Sequence, residues 1–261
     1  MPFRTTTLLA CLLLPAAGNA AMAATAACRF ELTAGETVDS PYPGHHDFIQ
    51  IFQPAAPPGP QGYPVILWYH GHGQRLRPNT QIMRAVTGGD TFLLVGMDYR
   101  SKRFHEKLDR KALAREVEGV AAVLDDLEAC VPVDRDMVLL AGYSQGGYAA
   151  TLIGERMLDQ LAGLVILGAG RADRAKNLPE KQALAGFPMF IAAGEDDREY
   201  GAAAEATAQL YAYLGAHVSM ERWPQTDHFE GWRWYQESDL RVAGIRQWLN
   251  TVPRARQKIE H

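Results

Sequence analysis

Cysteine is scarce in this chain, with three residues in 261 at positions 11, 28 and 130, too few for a fold built on a disulfide framework. An excess of charge of one sign is also missing. Lys and Arg number 26 against 30 Asp and Glu, a formal charge of −4, so nothing here attracts nucleic acid or anionic lipid. Long apolar runs are missing as well: the N-terminal one lasts about ten residues before Pro15, short of the roughly twenty that span a bilayer. No internal repeat is found. What is present is 47% apolar and 21% charged residues over 261 positions, enough to bury a full core in one α/β-sized domain and too apolar for disorder.

Residues 1–23 stand apart from the rest. Arg4 precedes the apolar stretch "LLACLLLPAA", and small residues follow in "GNAAMAATAA", the pattern of a secretory signal peptide. Cleavage is expected after Ala20 or Ala23, leaving a single domain over 24–261, destined for a periplasm or the outside of the cell. A lipoprotein box at "LLAC" is the lesser reading, because the apolar run continues past Cys11. Removal of Arg4 leaves 25 bases against 30 acids, or −5. It also leaves Cys28 and Cys130 as an even pair in an oxidising compartment, so one disulfide between them is expected, with two unpaired thiols as the alternative.

After the signal, "CRFELTA" and "HDFIQIFQP" read as short strands and "PAAPPGPQGYP" as a Pro/Gly loop. The stretches "VILWYHG", "FLLVGMDY", "MVLLAG", "LVILGAG" and "FPMFIAAG" are continuous apolar runs of strand length, as expected of a parallel sheet buried on both faces. Between them, 110–130 carries Leu113, Val117, Val120, Val123, Leu124 and Leu127 at helical spacing. Helices are also expected in "GYAATLIGERMLDQLA", in the Ala-rich stretch ending at Gly215, and in "DLRVAGIRQWLN", with a last strand at "HVSMERWP". Alternating strands and helices predict a mostly parallel sheet covered on both faces, with ligands held beyond the carboxyl ends of the strands.

One such end carries "GYSQGG", residues 142–147. Gly-x-Ser-x-Gly between a strand and a helix is a nucleophile elbow: the glycines let the two backbones approach, and a strained turn exposes the hydroxyl of Ser144. The pattern recurs by chance, and the flanking "MVLLA" and "YAATLIGERM" supply the required context. A serine nucleophile needs a base and an orienting carboxylate, in the chain order Ser, Asp, His for this architecture. His217 begins a strand, at its wrong end, whereas His228 follows that strand and is the predicted base. Glu195, Asp196 and Asp197 all follow "FPMFIAAG", and spacing alone does not separate them. For the oxyanion hole, the loop "HGHG" offers the N–H of His72 or Gly73, and the start of the next helix offers that of Gln145. A metal site at His70 and His72, or at "HHD" 45–47, lacks a third ligand at a useful spacing, so no metal and no cofactor is expected.

These residues resemble the α/β-hydrolase superfamily, and the elbow is similar to that of the phospholipase/carboxylesterase family, which includes acyl-protein thioesterases. The likeness covers about 45–250. That family typically carries "GFSQGG", an H-G-x-G loop, and a catalytic Asp three residues after a strand-ending Gly. Counted from Gly194, the resemblance implies Asp197 as the acid, with Asp196 in reserve, and intervals of 53 residues from Ser144 and 31 to His228 fit it. It also implies His72 as an oxyanion donor, where the family usually has an apolar residue. The signal peptide is a second departure and favours extracellular esters over protein depalmitoylation; feruloyl, acetyl-xylan and polyhydroxyalkanoate esterases share the scaffold.

The expected activity is therefore hydrolysis of a small-molecule carboxylic ester. A prolyl-oligopeptidase-type peptidase would need a gating domain for which the chain has no room, and a non-catalytic binding protein would not need all three triad members. Phe229, Trp232, Trp234 and Tyr235 are candidates for a pocket wall or for core packing. Arg100, Lys102 and Arg103 are candidates for holding a substrate carboxylate or for a solvated loop. Only some seventeen residues join two strands at "GRADRAKNLPEKQALAG", too few for a helical lid.

Overall fold

In a computed structural model, the structure describes residues 27–45, 48–72, 77–100, 110–171, 178–228 and 239–252. The signal segment and Cys11 lie outside them. Among the described residues, eight strands run in chain order as β1 (Thr37–Pro41), β2 (Phe48–Phe52), β3 (Tyr63–Tyr69), β4 (Leu93–Met97), β5 (Val133–Tyr143), β6 (Gly163–Leu167), β7 (Pro188–Gly194) and β8 (His217–Trp223). The helices are α1 (Gln81–Thr87), α2 (Arg110–Glu128), α3 (Gln145–Gly154), α4 (Tyr200–Tyr213) and α5, the last over Asp239–Leu249. All strands join one sheet in the order β1-β2-β4-β3-β5-β6-β7-β8. The first two pairings in that order are antiparallel and the rest parallel.

The apolar runs are continuous because the sheet is buried on both sides, and side chains alternate between the two faces. Val65, Leu67 and Tyr69 of β3, with Leu140 of β5 and Ile166 of β6, pack toward Val120 of α2, Ile153 of α3 and Ala204 of α4. Their neighbours Ile66, Trp68, Leu139 and Val165 pack toward Val86 of α1 and Ile245 and Trp248 of α5. The predicted architecture, a mostly parallel sheet between two layers of helix, is the observed one. On the second face, Arg246 of α5 donates to the carbonyls of Val86 and Ala85 at 2.9 and 2.8 Å, satisfying acceptors that the end of α1 leaves over.

Two local expectations are corrected, and one element is new. "CRFELTA" is not a strand; the first strand forms later, at Thr37–Pro41. Phe30 is buried and stacks on Tyr42, and Cys28 is bonded to Cys130 with a Cα separation of 4.6 Å, so side-chain anchoring replaces sheet pairing there. The helix after the elbow stops at Gly154, which packs against Leu164, instead of running on through 162. The seven-residue α1 carries no marked sequence pattern and was not predicted.

Candidate active site

Strand β5 lies between β3 and β6, and its last residue leads directly into Ser144. Ser144 has φ 53° and ψ −119°, a positive φ that costs a non-glycine residue energy and turns the chain from strand into α3 within one step. Its N–H donates to Leu167 O at 2.8 Å, fixing the elbow to the next strand. The helix starts so close to β3 that a Cβ at Gly146 would stand 2.0 Å from the carbonyl oxygen of Tyr69. Only glycine fits there, and the close approach brings the end of β3 and its following loop beside the serine.

The hydroxyl of Ser144 lies 2.9 Å from Nε2 of His228. On the other side of the ring, Nδ1 lies 2.7 Å from Oδ2 of Asp197. A carboxylate can only accept, so Nδ1 carries the hydrogen and neutral Nε2 turns its lone pair to the serine. Asp197 is 4% exposed, and its other oxygen, Oδ1, accepts the N–H of Tyr200 at 2.9 Å. Both carboxylate oxygens are therefore engaged and the carboxylate is held in place. The neighbouring Glu195 and Asp196 are exposed, while their N–H groups donate to Trp223 O and Thr226 O at 2.9 and 3.0 Å. Of the three consecutive acids, the turn brings Asp197 to the imidazole, and neither Asp196 nor Glu195 joins it. His217 lies at the opposite end of β8, exposed.

The structure also brings the two predicted oxyanion residues together. Nδ1 of His72 lies 2.9 Å from Oε1 of Gln145. Gln145 is the first residue of α3, whose opening N–H groups have no intrahelical acceptor and sit at the positive end of the helix dipole. Gly73 lies outside the described residues. His70 is engaged locally: its Nδ1–H donates to Gly71 O at 2.7 Å, its carbonyl accepts the hydroxyl of Tyr99, and Nε2 is 3.9 Å from Asp98. His45 uses Nδ1 on Asp98 O at 2.8 Å; His46 and Asp47 lie outside the described residues. Arg100 donates to Arg115 O at 3.0 Å and packs against Gly44 and Gly119, so it serves the fold; Lys102 and Arg103 lie outside the described residues. The aromatic candidates Phe229, Trp232, Trp234 and Tyr235 also lie outside them.

Two aromatic residues near His228 were not singled out in the sequence. The rings of Tyr143 and Tyr200 lie near-parallel to the imidazole of His228, with centroids at 5.4 and 4.1 Å. Tyr143 is the x of the elbow motif, so its position was visible, but no sequence pattern shows which ring it meets 85 residues away. Burial, together with the negative charges of Asp197 and Asp227 and with Tyr200, raises the Tyr143 phenol above its ordinary pKa. A cavity of about 730 Å³ opens elsewhere, between α2, the residues after α3 and 178–180. Leu113, Val117, Glu155, Arg156 and Leu178 line it, and none of Ser144, Asp197 and His228 does.

A strained serine between a central parallel strand and a helix, with an acid after β7 and a histidine after β8, all at the carboxyl edge of the sheet, defines the α/β-hydrolase fold. No protein-family model and no curated protein matches the sequence. Solved structures do match. A hyperthermophilic esterase from the archaeon Pyrobaculum calidifontis superposes with a TM-score of 0.59 at 17% identity, over 84% of this chain and 86% of that one. A thermostable esterase from Pseudomonas putida gives 0.61 at 17% identity, over 83% and 81%. A carboxylesterase from Mesorhizobium loti gives 0.53 at 20% identity, over 71% and 88%. These likenesses establish the shared fold.

Proposed function

We propose that the protein is a serine hydrolase that cleaves small carboxylic esters through an acyl-enzyme. The observation that carries this reading is the unbroken chain from Ser144 Oγ through His228 to Asp197, at 2.9 and 2.7 Å, on the edge of the sheet where this fold holds its ligands. That the solved structures it resembles include esterases from three organisms supports the reaction class.

In this mechanism Ser144 Oγ attacks the ester carbonyl while His228 Nε2 takes its proton. Asp197 keeps Nδ1 protonated and stabilises the imidazolium that results. The negative charge that develops on the carbonyl oxygen is met by the N–H groups of His72 and Gln145, the latter reinforced by the start of α3. The imidazolium then protonates the leaving alkoxide, and the alcohol departs. Water, deprotonated by the same histidine, attacks the acyl-enzyme and releases the acid.

The location we propose is outside the cytoplasm, after loss of residues 1–23; the bonded pair Cys28 and Cys130 fits an oxidising compartment. An exported enzyme meets soluble extracellular esters in preference to acylated cytosolic proteins. The test combines mass spectrometry after a fluorophosphonate probe with initial rates on acetyl, butyryl, octanoyl and feruloyl esters and on proline amides. The expected result is one adduct, on Ser144, with ester turnover far above amide turnover. Ser144→Ala should fold normally and lose roughly four to six orders of magnitude in kcat. Full activity in that variant, or amide turnover equal to ester turnover, would overturn the reading.

A further inference from the structure

His228 is carried by the loop that follows β8. Strand β8 ends at Trp223, and the chain then turns through Gln225, with φ 52°, to reach the base. The N–H of Asp196 holds this loop at Thr226 O, 3.0 Å away, but that contact lies two residues short of the imidazole. We propose that Tyr143 is a positioning residue that fixes His228, backbone and ring together, to the strand that delivers the nucleophile. This inference rests on the serine hydrolase reading above.

The argument starts from chain connectivity. Tyr143 and Ser144 are consecutive, so whatever Tyr143 holds is registered against the serine with no intervening joint. Its hydroxyl donates to the backbone carbonyl of His228. Its ring lies 5.4 Å from the imidazole with 21° between the planes. One side chain thus constrains both the position of the histidine backbone and the tilt of its ring, the two quantities on which the alignment of Nε2 with Oγ depends.

The surroundings are shaped for this contact. At the end of β6, Gly168 adopts φ 54°, and a Cβ there would stand 2.8 Å from Cε2 of Tyr143 and 3.5 Å from Cε1 of His228. The missing side chain makes the space in which phenol and imidazole meet. Tyr143 is 5% exposed and packs among Leu167 and Trp223, so its ring has no freedom to swing away. Burial raises the phenol above its ordinary pKa, so the hydroxyl is a donor at neutral pH. After proton transfer the ring faces of Tyr143 and Tyr200 also meet an imidazolium, a favourable arrangement for a cation beside an aromatic face.

The test is steady-state kinetics on a butyryl ester for Tyr143→Phe, Tyr143→Leu and Gly168→Ala, with His228→Ala as control and melting temperatures taken alongside. Tyr143→Phe keeps the ring and loses the tether; kcat should fall about tenfold with KM within about twofold, because substrate binding does not use the tether. Loss of the ring as well in Tyr143→Leu should cost about a hundredfold. Gly168→Ala should reproduce the kcat loss with Tyr143 intact, which a purely structural tyrosine would not predict. An inactive His228→Ala beside a Tyr143→Phe enzyme with wild-type kcat would overturn this inference and leave the serine hydrolase reading standing. A fully active His228→Ala would overturn both.

Discussion

Asp196 and Asp197 are adjacent in the chain and chemically identical, and the structure separates them completely. The turn after β7 exposes Asp196 and buries Asp197 against His228, at 2.7 Å. An amide at 197 can no longer accept the Nδ1 hydrogen without offering a donor in its place, and it favours the wrong tautomer of the base. Asp197→Asn is therefore expected to lower kcat by roughly four orders of magnitude, whereas Asp196→Asn should remain near wild type. Rates on one short-chain ester decide it, and a larger loss at 196 would reassign the acid. At the same scale, the imidazole of His72 has a use that an apolar residue lacks: it reaches the side chain of Gln145 across the site.

Among the elements, those with strong periodicity or continuous burial were legible. Strands β3 to β7 announced themselves as apolar runs because both of their faces are covered, and α2 showed one apolar stripe because only one of its faces is. The short elements were not: "CRFELTA" has strand composition, yet a disulfide and the packing of Phe30 hold that stretch, and α1 is too short to carry a pattern. The ends of elements were hidden for another reason, visible where α3 stops. Glu155, just past the helix, has a side chain only 5% exposed and takes a two-pronged contact from Arg171 at 2.5 and 2.9 Å, with the hydroxyl of Tyr211 on the same carboxylate. This pair ties the end of α3 to the chain after β6 and to α4. Glu155→Ala leaves a buried guanidinium without that carboxylate, so chemical denaturation should show a loss of about 3–5 kcal/mol, with the Ser144 site unchanged in probe labelling of the folded fraction. A loss under about 1 kcal/mol would mean that the pair is only a surface-like contact.

For the molecule as a whole, the bond between Cys28 and Cys130 closes a loop with a sequence separation of 102, from the start of the described chain to the segment between α2 and β5. It lies near the amino end of β5, while Ser144 stands at the carboxyl end of the same strand. Constraint of so long a loop in the unfolded chain is worth about 4–5 kcal/mol in the chain-entropy account. A Cys28→Ser, Cys130→Ser protein is expected to melt well below the parent, by calorimetry, yet to keep its kcat at 25 °C. Equal melting temperatures would show that the covalent tie adds nothing to the packing of the N-terminal segment. At the sheet edge, β1 and β2 pair antiparallel, so the strands β5, β7 and β8 that carry Ser144, Asp197 and His228 at their ends owe their positions to the parallel part of the sheet.

The sequence by itself determined the alternation that makes a doubly covered sheet, the elbow at Ser144 and the histidine after the last strand. Each of these is written in residues that are neighbours along the chain. Only the tertiary structure decided which of the neighbouring acids meets the imidazole of His228, that His72 reaches Gln145, and that Tyr143 meets His228. Those contacts join residues separated by 31, 73 and 85 positions, and they depend on the handedness of turns and the rotation of side chains about strand ends. Local pattern fixes which face a residue presents, but which partner stands opposite is set when separate strands are brought into register.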